Sequence, residues 1–292
     1  PGPVPPADPA PAPAPLAEPA GRATAQAQDP AAPAATTGRA RRQAGAGDQG
    51  LTRERIIATA IALADAEGLE TLSMRRVAAD LGVATMALYR HLPGKEELLD
   101  LMADSVIGSR PLPQVAEPGW RPRLAAIARL EWALYRDHPW LAGTMSLTRP
   151  TPLPNALRHG EWVLSSLEEL RLDPATRLYT HILLFAFVRG LAVNLGIQAH
   201  DRRHSELSDE EWMAGQESAF LSLLSTGDYP SFGRLMGELD AARLEMEGAD
   251  SFEFDLDLLF EYALTRLLDG LGLLFEPPTR AAPTGTDPAA AG

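Results

Sequence analysis

The sequence predicts an all-α protein built from two helical domains. Two observations support this prediction: apolar residues in the central part of the chain recur at three- and four-residue steps, and no stretch of useful length alternates apolar with polar residues as a strand would. The chain has 292 residues, of which 45% are hydrophobic, so it can bury one large core or two modest ones. We expect a small domain at residues 49–107 and a larger one at residues 108–276.

Both ends of the chain have a different composition. Eleven of the 26 prolines lie in the first 38 residues, with few large apolar side chains to offset the entropy of ordering, so residues 1–48 are predicted to be disordered. Arg39, Arg41 and Arg42 end this tail. They form either part of a solubilising tail or a basic arm that reaches a DNA groove. A similar composition predicts a second disordered tail at residues 277–292.

The small domain is predicted to contain four short helices with clear start and stop signals. Thr52 and Ser73 are suitable N-caps for the first two helices, and Gly68 and Gly82 are suitable ends, with Gly82 in the left-handed conformation. Pro93 disfavours helical geometry in the residue before it and therefore ends the third helix. The predicted helices cover residues 53–67, 74–81, 85–92 and 95–107.

The second and third of these helices are joined by a turn that contains glycine, which is the pattern of a helix-turn-helix whose second helix enters the major groove of DNA. Met86 and Tyr89 have no folding reason to be exposed on so short a helix. A helix that reads a groove, however, needs apolar atoms against thymine methyl groups and hydroxyl donors for phosphate. The side chains expected outside are Thr85, Met86, Ala87, Tyr89, Arg90 and His91.

The charge distribution also favours contact between this domain and a polyanion. The net charge is −13, yet residues 39–95 hold nine Lys/Arg against six Asp/Glu, whereas residues 96–292 hold 16 against 30. Lys95, the only lysine, stands at a helix start, where a cation opposes the helix dipole unless an anion binds nearby. Glu96 and Glu97 would repel phosphate, so an ordinary solvated turn is the alternative.

The stretch "LSMRRVAADLGVATMALYRHLPGKEELLDLMADSV" resembles the DNA-binding region of the tetracycline-repressor (TetR) family of transcriptional regulators. It shares the glycine-valine turn, the leucine-tyrosine-x-histidine recognition helix and the lysine at the start of helix four, within residues 51–107. The resemblance implies that Arg75 contacts a base or phosphate. It also implies that Thr85, Met86, Ala87 and Tyr89 face the groove or its walls, and that Tyr89, His91 and Lys95 hold phosphate. Met86 and Ala87 depart from the proline and threonine of the founding repressor, so its operator does not carry over.

The larger domain is predicted to contain helices over residues 121–137, 155–170, 174–197, 209–224, 232–247 and 252–274. Three stretches, "RDHPWLAG", "GDYPSF" and "FEFDLDLLFEYALTRLLDGL", look like the ligand-binding and dimerisation domain of tetracycline-repressor-like proteins. The helix after Pro174 is apolar over more than one face. The resemblance implies that this helix and the last one form a four-helix bundle with a second subunit, giving a homodimer on a palindromic double-stranded operator. Burial in a large monomeric core is the alternative.

A small-molecule effector is the usual trigger in the family that the sequence resembles. The aromatic or polar residues that could line its pocket, each of which could instead belong to the core or the surface, are Trp132, Tyr135, His138, Trp162, Phe185 and Arg189. The net negative charge of the chain favours a cationic or neutral compound. We therefore expect a ligand-responsive transcriptional regulator, most simply a repressor that the effector releases from its operator. A helix-turn-helix protein without a small-molecule switch is the alternative.

Other functions have little support in the sequence. The chain has no cysteine, and it lacks a nucleophile elbow, a phosphate-binding loop and a dinucleotide-binding turn, so we expect neither an enzyme nor a cofactor. The longest apolar run, residues 181–197, contains Arg189 and is too short to cross a bilayer uninterrupted, which predicts a cytoplasmic protein with no membrane partner. His200 and His204 follow an expected helix end and lack a third spaced ligand, so no metal site is expected.

Overall fold

The computed structural model describes residues 50–205, 207–245 and 255–275, and every regular element within these ranges is helical. The tails predicted at residues 1–48 and 277–292, with Arg39, Arg41 and Arg42, lie outside the described residues. The expected end of one helix at residue 247 and the start of the next at residue 252 also lie outside them.

The helices follow one another as a four-helix head and a larger body. The head contains α1 (Arg53–Glu67), α2 (Met74–Leu81), α3 (Thr85–Leu88) and α4 (Lys95–Ile107). The body contains α5 (Trp120–Asp137), α6 (Leu141–Thr144), α7 (Pro154–Ser166), a 3₁₀ turn (Glu168–Leu170), α8 (Pro174–His204), α9 (Asp209–Ser225), α10 (Pro230–Glu245) and α11 (Leu256–Phe275).

Local signals account for the helix ends in the head. The side chain of Thr52 accepts a hydrogen bond from the backbone N–H of Arg55, and Ser73 caps α2 through the N–H of Arg76. Gly82 has φ 68° and ψ 30°, which is the left-handed conformation predicted for it. The prediction for α3 was too long, because the helix ends at Leu88 and the chain continues as a turn up to Pro93.

Several helices of the body differ from the prediction. The helix predicted over residues 155–170 ends at Ser166, and a separate 3₁₀ turn covers Glu168–Leu170. α8 continues past Ile197 to His204. Its last residues are polar and exposed, so the apolar periodicity that predicts the helix stops before the helix itself ends. α6 was not predicted, since a four-residue helix is too short to show apolar periodicity.

The head has a continuous core that fixes α3. α1 packs against α2 and α4, and α2 packs against α3. Ile56, Val77, Leu88, Leu92 and Leu98 are fully buried in this core. Because α3 is a single turn, Leu88 and Leu92 determine which of its sides faces outward.

The body is organised around α5, which packs against α7, α8 and α11. Trp132 on α5 stacks on Phe260 of α11 with ring centroids 4.7 Å apart. α4 joins the head to the body: Asp104 accepts hydrogen bonds from the backbone and side-chain N–H groups of Asn155, at the start of α7. A second link joins α1 to the body, because Asp65 accepts from Trp140 Nε1 at 2.6 Å.

Much of α8 is apolar and exposed in the single chain. It is long and apolar enough to span a membrane by length and composition, contrary to the expectation from its sequence, and only 17% of its most apolar window is buried. Leu178, Leu183 and Ile197 on α8 are exposed, as are Leu258 and Tyr262 on α11. A surface of this kind is typical of an interaction site.

Gly82→Ala is expected to lower the free energy of unfolding by about 1–2 kcal/mol, because an L side chain in the left-handed conformation clashes with its own backbone. Space is not the cause, since a Cβ at this glycine meets nothing within 4 Å. Gly143→Ala is the control, because Gly143 lies in α6 with equal space and no positive φ. Chemical denaturation measures both, and equal losses would contradict the assignment of strain to Gly82.

Candidate DNA-reading surface and ligand cavity

One side of α3 and the turn after it forms an exposed surface, which we call the reading surface. Met86 is 73% exposed and Tyr89 is 44% exposed, although both are large and partly apolar. Directly behind them, Leu88 and Leu92 are fully buried. The structure thus presents these two side chains to solvent on a rigid support, as the sequence predicted.

Other predicted members of the reading surface lie deeper. Ala87 is only 7% exposed, so the prediction that it lies outside is wrong. It follows Val83 by four residues and precedes Leu88, which places it on the inward side of the helix. Thr85 and His91 are half-buried at the edges of the surface.

Lys95 has a partner within the chain. Its Nζ donates a hydrogen bond to the carbonyl oxygen of Leu72 at 2.6 Å, which ties the start of α4 to the residue before the Ser73 cap of α2. An ammonium group has three donors, so this contact leaves two of them for another acceptor.

Arg75 and Arg76 are neighbours in α2 with different surroundings. Arg76 donates to Glu67 at 2.6 Å and lies 3.5 Å from Asp80. The hydrogen bond from Arg76 lowers the pKa of the Glu67 carboxyl. Arg75 is exposed, and no contact of its guanidinium is recorded among the residues that the structure describes.

The body contains a cavity of about 330 Å³ bounded by α4, α5, α7, α8 and the segment around α6. Its size is within the range of small-molecule sites. Most of its wall is aliphatic. The apolar residues that line it include Ala103, Ile107, Leu134, Leu141, Leu153, Leu157, Leu178, Ile182 and Phe185.

Four polar side chains gather on the wall of this cavity. Glu131, Tyr135, His159 and His181 all line it. His159 Nδ1 lies 3.4 Å from Glu131 Oε1, and His181 Nδ1 is buried with no hydrogen-bond partner among the residues that the structure describes. Burial lowers the pKa of His181, although the Glu131 carboxylate opposes this, and burial raises the pKa of the Tyr135 hydroxyl. The cavity therefore offers hydrogen-bonding groups beside the carboxylates of Glu131 and Asp100.

The backbone makes room for one of these groups. A Cβ on Gly160 in α7 would lie 3.2 Å from His181 Cε1, so the absence of a side chain there admits the imidazole of α8. The close approach of α7 to α8 places His181 in the cavity wall.

The predicted ligand residues divide into two groups. Tyr135 and Phe185 line the cavity, while four others point elsewhere. Trp132 donates to Asp257 of α11, His138 contacts Asp65 of α1, Trp162 lies against Arg123, and the Arg189 Nε is buried outside the cavity lining. Sequence reasoning missed Glu131, His159 and His181, because a single histidine or glutamate on an amphipathic helix carries no signal that it faces a cavity.

Comparison with known proteins identifies the fold and its two parts. A family model described as "Bacterial regulatory proteins, tetR family" matches residues 56–102, and one described as "Tetracyclin repressor-like, C-terminal domain" matches residues 112–273. The chain belongs to the TetR family. Individual TetR-family relatives match both parts together.

Two relatives illustrate the similarity. The HTH-type transcriptional repressor DrrR1 of Streptomyces coeruleorubidus is 39% identical over 225 residues, which cover 77% of this chain and 78% of DrrR1. The crystal structure of the TetR-family protein ActR of Streptomyces coelicolor with actinorhodin has a TM-score of 0.62 and 28% identity, covering 79% of this chain and 99% of ActR. ActR has also been solved with (S)-DNPA.

Membership in the TetR family confirms several predictions made from the sequence. The protein is a ligand-responsive transcriptional repressor with a helix-turn-helix DNA-binding domain. Repressors of this family bind operator DNA as dimers and bind small-molecule ligands. A second subunit would account for the exposed apolar faces of α8 and α11.

The buried imidazole of His181 predicts a pH dependence of stability. An unfolded histidine has a pKa of about 6.5, and burial lowers the pKa of His181 in the folded chain. The unfolded state therefore binds more protons as the pH falls below that value, so the folded state is destabilised by acid. When the pH is lowered from about 7.5 to about 5.5, the free energy of unfolding is expected to fall less in His181→Gln than in the wild type. Denaturation midpoints at the two pH values measure this, and equal losses would refute it.

Proposed function

We propose that this TetR-family repressor reads its operator with α2 and α3 and is released when an effector occupies the cavity in its body. It acts in the cytoplasm, where the operator DNA lies, and requires neither catalysis nor a cofactor besides the effector. The observation that carries the proposal is the reading surface, where Met86 and Tyr89 are exposed directly over the buried Leu88 and Leu92.

Base recognition is assigned to the outward side of the reading surface. Met86 offers a flexible apolar contact for thymine methyl groups, and Thr85 offers a hydroxyl beside it. The free guanidinium of Arg75 can form a bidentate contact with guanine or hold a phosphate. Ala87 is not part of this surface, because its methyl group packs inward against the core.

Phosphate binding is assigned to the edge of the same surface. Tyr89 and His91 follow α3 in the turn, where their polar atoms can reach a DNA strand. Lys95 lies at the start of α4, whose free backbone N–H groups also favour an anion. Its contact with Leu72 orients the ammonium, so binding phosphate there requires little ordering. In a two-fold dimer, two such heads would contact half-sites about one helical turn apart.

The effector we propose is a largely apolar small molecule with a polar end. The aliphatic wall would bury its hydrophobic part, and Glu131, His159 and His181 would hydrogen-bond its polar groups. The unpartnered Nδ1 of His181 supports this, because a buried polar atom without a partner is costly until a ligand satisfies it. The structures of ActR with actinorhodin and with (S)-DNPA also support a small-molecule effector.

Effector binding would release the operator through a movement of α4. Asp100, Ala103 and Ile107 of this helix line the cavity, and the same helix carries Lys95 at the reading surface. An effector that fits the cavity better after a shift of α4 favours the conformation in which the two heads no longer match their half-sites. Its difference in affinity between the two conformations limits how far operator binding can fall.

Arg75→Ala is expected to weaken operator binding by about 1–3 kcal/mol and to relax sequence preference if the arginine reads a base. Arg76→Ala is the matched control. It removes the same charge from the adjacent position, but Arg76 is already engaged by Glu67 and Asp80. Gel-shift titrations on operator and scrambled duplexes compare the variants. Equal effects of the two substitutions would rule out a specific role for Arg75.

Ala156→Phe is expected to preserve operator binding and to raise the effector concentration needed for release at least tenfold, because the ring occupies a cavity lined by Ala156. Trp132→Phe is the control, since Trp132 contacts Asp257 of α11 and does not line the cavity. Release of a labelled operator during a compound screen measures both. If Trp132→Phe blocks release and Ala156→Phe does not, the effector binds elsewhere; if no compound releases the operator, the protein lacks a small-molecule switch.

A further inference from the structure

Three metal-ligating side chains meet where the head touches the end of α8. His200 and His204 lie one turn apart near the C-terminal end of α8, and Glu70 belongs to the segment that follows α1. One potential ligand atom from each of the three residues lies within 4.8 Å of the other two. Glu70 could not be associated with these histidines from the sequence, because 130 positions separate it from His200.

The helical conformation of this stretch changes the interpretation of the two histidines. An i, i+4 pair of imidazoles on one helix face is a common arrangement for binding zinc and similar ions. The two rings are stacked with centroids 4.1 Å apart, so both already lie on the same side of α8. The expectation that α8 ends before them and that they lack a third ligand is therefore corrected by the structure.

The hydrogen bonds around the histidines also suit metal binding. His204 Nδ1 lies 2.8 Å from the carbonyl oxygen of His200, so its N–H donates there and its Nε2 keeps a free lone pair. Metal-bound histidines usually make this kind of contact, which fixes the ring and its tautomer. His200 Nδ1 lies 3.3 Å from Glu70 Oε1, so the carboxylate can orient this ring or bind the ion itself.

We propose that Glu70, His200 and His204 form a site for a divalent transition-metal ion such as Zn²⁺, and that the ion joins the head to α8. Two imidazole nitrogens and a carboxylate oxygen match the ligand preferences of zinc, with water completing the tetrahedron on the exposed side. The rotation of exposed side chains brings the ligand atoms to bonding distance.

One neighbouring cation competes with the ion. The guanidinium of Arg203 lies 3.5 Å from Glu70 Oε1. This distance marks a weak ion pair at an exposed position, and such pairs contribute little free energy. Glu70 can therefore exchange this contact for a metal bond, or use one oxygen for each partner.

A bound ion would restrict movement of the head. Glu70 lies in the segment that follows α1, whereas the histidines lie on α8, so coordination by all three would fix the distance between the two elements. Metal binding would in this way stabilise one orientation of the reading surface, in addition to any effect of the effector. The site itself depends on neither DNA nor effector.

The test uses the metal-free full-length protein, prepared without a histidine tag, and titrates Zn²⁺ against a chromogenic chelator. We expect one ion per chain and a loss of this binding in His204→Ala. Glu70→Gln is expected to lower the affinity about tenfold. Asp201→Asn is the matched control, because it removes the same charge from an exposed residue that lies between the two histidines in sequence but outside the cluster.

The outcomes separate a bridging site from ordinary surface binding. If no stoichiometric binding occurs, the proposal is wrong. If Asp201→Asn weakens binding as much as Glu70→Gln does, the ion responds to the general negative charge and does not join the two parts. Because all three cluster residues are exposed, the variants should fold normally, and their circular dichroism spectra check this.

Discussion

The architecture depends on α4 being shared by the head and the body. Its Leu98 and Met102 are fully buried, and Asp104 holds Asn155 at the start of α7. The same helix exposes Ala103 and Ile107 to the cavity. Closely packed elements tend to move between discrete positions rather than deform smoothly. In the proposed mechanism, a change in cavity shape would displace α4, and the contact of α4 with α1 would carry this displacement to the reading surface.

α3 is a single turn, and the core of the head holds it in place. A single helical turn has no stability of its own, because forming the first turn orders several residues for one hydrogen bond. Leu88 and Leu92 are fully buried and supply the missing stability from the head core. Their burial leaves Met86 and Tyr89 exposed, since side chains on opposite sides of a turn cannot both face inward. The proposed recognition is thus linked to folding: the residues assigned to DNA contact are presented by those that form the core.

How much could be predicted depended on whether the signal was local. The caps at Thr52 and Ser73 and the left-handed Gly82 were predicted because each effect acts within one turn of the chain. The cavity was predicted poorly, since its walls come from several separate helices and aromatic side chains fill cores as well as pockets. Trp132 was assigned to the ligand on its type alone, while His181 escaped notice because only the packing of α7 against α8 reveals its position.

α8 connects the remaining parts of the mechanism. Its exposed Leu183 belongs to the apolar face that a second subunit covers, and its His181 and Phe185 lie in the cavity wall. Its final turn approaches the head, where His200 faces Glu70. One continuous helix thus carries an exposed apolar face, part of the cavity wall and a contact with the head. Because a helix transmits displacement along its axis with little bending, dimer packing constrains where the cavity wall can move. It follows that the second subunit helps to determine which head positions are accessible, in addition to supplying the second half-site contact.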